Sequence, residues 1–141
     1  MPEHIDIDIK VPNQTRYLSL IGKIGEDVAR SIKRFNGDRE KLAYNINVVL
    51  TEAIANAIHH ANNEEQSQDI HVRITVIDRV LTIRVFDQGQ GFDIRSLPSP
   101  DFEDCCETGR GIYIIKSLMD RISYHESDDG YVLVMIKALT G

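Results

Sequence analysis

Asn45-Ile46-Asn47-Val48-Val49-Leu50-Thr51-Glu52-Ala53-Ile54-Ala55-Asn56-Ala57-Ile58-His59-His60-Ala61-Asn62 is the stretch on which the reading of the fold turns. Ile46, Val49, Leu50, Ala53, Ala57 and Ile58 make a helix that is apolar around most of its circumference. Such a helix belongs inside a layer rather than on a surface. Against that pattern, Glu52, Asn56 and His60 recur every four residues and so share one face. A mid-helix Asn is also a poor helix former, because its amide competes for backbone hydrogen bonds. Polar groups aligned on a buried helix need partners. Two readings meet that need: a hydrogen-bonded network internal to the fold, or the wall of a ligand cleft carrying a carboxylate and an amide.

Working outward, Ile5, Ile7, Ile9 and Val11 alternate with Asp6, Asp8 and Lys10, which predicts a strand with one wet face, stopped by Pro12. Thr15 is a candidate cap for a helix running to about Phe35, with Gly22 and Gly25 weakening it or admitting a close neighbour. Asn36-Gly37 ends that helix, and Asp38 is the expected N-cap of the central one, over about Arg39 to Ala61. Ile70 to Val76 and Leu81 to Val85 then alternate as two strands joined by the short Asp78-Arg79 link, a hairpin without the glycine of the strongest turn signal. From Asp87 to about Thr108 the chain is polar and broken by Gly89, Gly91, Pro98 and Pro100, a length that suits a lid. A third helix is expected over about Gly111 to Asp120. Two strands follow, about Ile122 to Glu126 and Tyr131 to Ala138, turning at Asp128-Asp129-Gly130. Hairpin-paired strands with enough helix to cover one face predict a single α+β domain over residues 1–141, a two-layer sandwich with a mixed, mainly antiparallel sheet.

The formal charge of −6 and the scattered Lys and Arg argue against a general nucleic-acid or membrane-surface binder. With no apolar run of membrane-spanning length and no signal peptide, the expected location is the cytoplasm. Cys105 and Cys106 are adjacent, which suits neither a disulfide framework nor a zinc site, and reads as two reduced thiols in a loop.

Three polar groups bear on chemistry. Asp87 follows Leu81, Ile83 and Val85 in phase, so its carboxylate is expected on the covered face, where it could accept from an exocyclic amine. Gly89 and Gly91 would let a ligand approach the backbone; a loop start with turn glycines is the plainer alternative. Thr108-Gly109-Arg110-Gly111 opens the third helix, whose free N–H groups and partial positive charge suit phosphate oxygens; an ordinary helix cap is the plain alternative. Asn56 offers magnesium a hard, neutral oxygen, and Glu52 one turn away could orient or deprotonate an attacking hydroxyl or water.

Taken in order, Glu52-x-x-x-Asn56, Asp87-x-Gly89-x-Gly91 and Gly109-x-Gly111 resemble the three ATP-binding boxes of the Bergerat-fold family, which includes gyrase B, histidine kinases and MutL. His60 fits the common pattern of the first box. The run from Gly109 to Asp120 is most similar to the anti-sigma factor serine/threonine kinases of partner-switching systems. The resemblance implies that Asp87 receives the adenine amine, Gly89 and Gly91 shape the base pocket, and Asn56 holds Mg2+. It implies that Thr108, Gly109, Arg110 and Gly111 close on the phosphates of ATP or ADP, and that Glu52 is the base for a protein serine or threonine. Arg110 stands where many members carry an apolar residue, a departure that bears on the lid. Gyrase-like and MutL-like members need further domains, and a histidine kinase needs a phospho-acceptor helix pair, so these fit less well. The expected partners are a STAS-type anti-anti-sigma protein, a sigma factor, and a second copy through Ile5–Val11 and the first helix. The rival expectation is a non-catalytic module that binds nucleotide and sequesters a partner.

Overall fold

The computed structural model describes residues 3–33, 35, 37–60, 69–87, 107–127 and 130–139. Five strands and three helices follow one another as β1 (His4–Pro12), α1 (Tyr17–Ser31), α2 (Arg39–His60), β2 (Asp69–Ile77), β3 (Val80–Asp87), α3 (Glu107–Leu118), β4 (Arg121–Ser127) and β5 (Gly130–Ala138). The strands form one sheet in the order β1-β2-β3-β5-β4. Every pairing among the described residues is antiparallel, so the parallel component expected of a mixed sheet is not found there.

The alternation read from the sequence sets which face is covered. Ile7, Ile74, Ile83, Met135 and Ile122 are cross-strand partners in one continuous row over all five strands. From Ile74 to Met135 that row is fully buried beneath the helices, and Ile7 and Ile122 close it at the two edges. The opposite face is polar on its β1–β2 side. There Arg73 grips the Asp6 carboxylate through both Nε and Nη2, at 2.9 and 2.6 Å, and His71 lies 2.6 Å from Asp8. Neither pair is directly opposite in register, since Asp6 faces Thr75 and Asp8 faces Arg73. These are diagonal contacts, the kind that long side chains make across neighbouring rows. The Arg73 hydrogen bond holds the Asp6 carboxyl below the usual carboxylate range.

Helix ends differ from the sequence expectation for identifiable reasons. Thr15 does not cap α1 with its hydroxyl. The N-cap is Arg16, in helical conformation and without a side-chain cap bond, while the Thr15 carbonyl accepts from Leu18 N–H at 3.0 Å. At the other end α1 stops at Ser31 rather than near Phe35. Arg39, from the start of α2, donates to the carbonyls of Ala29, Arg30 and Ile32, and Glu3 accepts from the Lys33 N–H, so the backbone groups that would extend the helix are engaged elsewhere. Asp38 does cap α2, its carboxylate accepting from Lys41 N–H at 3.1 Å. The central helix ends within one residue of its expected limit.

The β2–β3 hairpin forms despite lacking glycine. Asp78 and Arg79 both adopt positive φ, 51° and 66°, the backbone of a type I′ turn. A left-handed conformation costs non-glycine residues roughly 1–2 kcal/mol, least for Asp or Asn. Asp78→Asn combined with Arg79→Gly is therefore expected to stabilise the fold by about 1 kcal/mol in urea unfolding. An unchanged or lowered midpoint would show that the turn carries no strain.

Candidate active site

The central helix is the wall on which the polar residues stand. α2 packs against α1, against α3 and against β3, and Leu42, Ile46, Val49, Leu50, Ala53 and Ile54 are all buried. Asn56 belongs to that interior, only 5% exposed, while Glu52 one turn earlier is half-buried. The polar line on α2 thus runs into the protein from a partly open end. His60 is the last residue of α2, and its side chain lies outside the described residues.

α3 begins at Glu107, four residues before the expected start near Gly111. Thr108, Gly109, Arg110 and Gly111 are therefore helical from the outset, not the approach to a helix. The N–H groups of Glu107 to Arg110 have no intrahelical acceptor and carry the positive end of the helix dipole. Gly111 is buried, and a Cβ placed on it would stand 2.8 Å from Glu52 Oε2. The second turn of α3, entered at Gly111, and the carboxylate of α2 therefore meet directly. Lys137 of β5 steadies the far end of the same helix by donating to the Leu118 carbonyl at 3.1 Å.

β3 runs without a bulge through Asp87, whose cross-strand partner is Tyr131 of β5. Tyr131 in turn stacks on Tyr124 of β4, ring centroids 5.2 Å apart and planes within 2° of parallel. The sequence reading assigned neither tyrosine a role. Their signal was present as phase, since Tyr131 shares parity with Leu133 and Met135, but only the register puts it beside Asp87. Gly89 and Gly91 lie outside the described residues, as does all of 88–106 in the segment expected to form a lid, with Cys105 and Cys106, and so do the side chains of Asp87, Thr108 and Arg110. No group of three or more His, Cys, Asp or Glu that could hold a metal ion stands among the described residues.

The family described as a histidine kinase-like ATPase domain matches residues 11–137, from the end of β1 to the end of β5 and across every element between. The chain belongs to this family.

As a histidine kinase-like ATPase domain it also has individual relatives of similar length. It is 29% identical to the serine-protein kinase RsbW of Bacillus velezensis and 28% identical to that of Bacillus subtilis, in each case over 96% of this chain and 86% of the relative. The serine-protein kinase RsbW of Listeria monocytogenes is 27% identical over 95% of this chain and 87% of its own. Among the described residues, no helix of this ATPase domain is long and apolar enough to cross a membrane.

Proposed function

We propose that this chain is an ATP- and magnesium-dependent protein serine/threonine kinase that acts as an anti-sigma factor and phosphorylates a STAS-type anti-anti-sigma partner. The observation that carries the reading is the meeting of Glu52 with Gly111, which sets a carboxylate one turn behind the free N–H groups that open α3. The relatives named serine-protein kinase support the choice of protein hydroxyl over water as acceptor.

In this reading Glu52 takes the proton of a partner's serine or threonine hydroxyl as its oxygen attacks the γ-phosphorus of ATP. The bond from that phosphorus to the bridging oxygen breaks, and ADP leaves. The free N–H groups at the start of α3 receive phosphate oxygens, and Arg110 adds a charge-assisted contact. Asp87 accepts from the adenine amine, Gly89 and Gly91 shape the base pocket, and His60 belongs to the nucleotide-binding set with Asn56. Asn56 fits magnesium, which takes hard oxygen ligands and is commonly held by one or two protein groups together with substrate phosphates. When bound, the ion supplies charge neutralisation on those phosphates.

The test is transfer of labelled γ-phosphate from ATP to a purified STAS-domain protein, with mass spectrometry locating the label on a serine or threonine. Bound ADP with no transfer to any such partner would leave a nucleotide-dependent binding module that sequesters a sigma factor. The same reading includes a homodimer through β1 and α1. β1 is an outer strand of the sheet, and Leu20 on α1 is 48% exposed. Sedimentation of the purified chain as a monomer at micromolar concentration rejects that part.

A further inference from the structure

Gly111 occupies the crossing of α3 with α2, and among the described residues, outside its chain neighbours and its own helix backbone, the three heavy atoms nearest to its missing Cβ all belong to Glu52. Oε2 would stand at 2.8 Å, whereas Cβ and Cδ would stand at an ordinary 3.8 Å. The space that glycine leaves is thus taken by the reactive end of the carboxylate and not by its stem. Glycine weakens a helix relative to alanine, so its place inside α3 calls for a reason, and the carboxylate supplies one.

We propose that Gly111 is a positioning residue for Glu52: its missing side chain sets where the carboxylate rests, separately from any contact of the α3 backbone with phosphate. The inference rests on the kinase reading of Glu52 given above. A methyl group at this position would push aside the tip of a flexible side chain, which the fold tolerates and the chemistry does not.

Gly111→Ala is therefore expected to fold with an unchanged or raised thermal midpoint, and to keep its calorimetric affinity for ADP and its KM for ATP. Its kcat for phosphate transfer falls by about 10²-fold, the loss that accompanies a displacement of roughly 1 Å in a reacting constellation. In a Glu52→Asp background, where the carboxylate is retracted by one methylene, adding Gly111→Ala costs little more, whereas independent sites would multiply their losses. In the nucleotide-free protein the same substitution moves the ¹³C resonance of the Glu52 side-chain carboxyl. The proposal is overturned by a Gly111→Ala protein that transfers phosphate at the wild-type rate, loses ADP affinity in proportion to its rate, or leaves that resonance in place. A chain that fails to fold overturns it too, because moving a flexible carboxylate carries no such cost. Wild-type protein that binds no nucleotide, or Glu52→Ala protein that transfers normally, overturns the kinase reading instead, and the carboxyl resonance still decides the contact.

Discussion

On the proposed reading, Glu52→Ala is expected to lower the rate of phosphate transfer by about 10²–10⁴-fold, the usual worth of a positioned general base, and to leave ADP binding intact. The separation follows from where Glu52 stands. Its carboxylate lies at the crossing of α2 and α3, half-buried, whereas the backbone groups suited to phosphate belong to the first turn of α3 and are untouched by the substitution. Glu52 is only half-buried and pairs with no cation among the described residues, so the fold should lose little on truncation. Glu52→Gln keeps the shape and loses the proton acceptor, and is expected to match alanine in rate. Single-turnover transfer from labelled ATP gives the rate and calorimetry with ADP gives the affinity. A Glu52→Gln protein with wild-type turnover would move the base to another residue, and parallel loss of ADP affinity would make Glu52 a binding group.

The second large effect lies in the seam between α1 and α2. Leu50 is fully buried, and a Cβ on Gly25 would run into its Cδ1 and stand 2.9 Å from Ile46 Cγ2. Leu50→Ala is expected to cost about 3–5 kcal/mol, because the side chain leaves both its burial energy and a cavity behind. Gly25→Ala alone is expected to cost about 1–3 kcal/mol through overpacking, with the sign opposite to that of helix propensity. Together the two should cost less than their sum, since the methyl group enters the room that Leu50 vacates. Urea unfolding of the four proteins closes this cycle. Additive losses would show that the two helices separate on substitution and do not share one packed contact.

Both effects bear on what the sequence alone could disclose about the site. The i, i+4 line of Glu52 and Asn56 was legible because a helix repeats locally, and the structure keeps it on one face running inward. The glycines at 22 and 25 announced close packing, but not what approaches them. The answer is the side chains of Asn47, Ile46 and Leu50, not backbone. Arg39 carries no sequence pattern of a cap, yet it engages the last carbonyls of α1 from seven to ten residues away because the α1–α2 corner brings it there.

The sequence by itself determined the elements, their apolar faces and the chemical character of the candidate residues. Each of these depends on periodicity and on side-chain type within a few neighbouring residues. Only the tertiary structure decided that Gly111 lies against Glu52, that Tyr131 pairs with Asp87 across β3 and β5, and that Arg73 reaches diagonally to Asp6. Those contacts join residues distant in the chain. Their geometry depends on sheet register and on the packing of three helices over it, which no local pattern encodes.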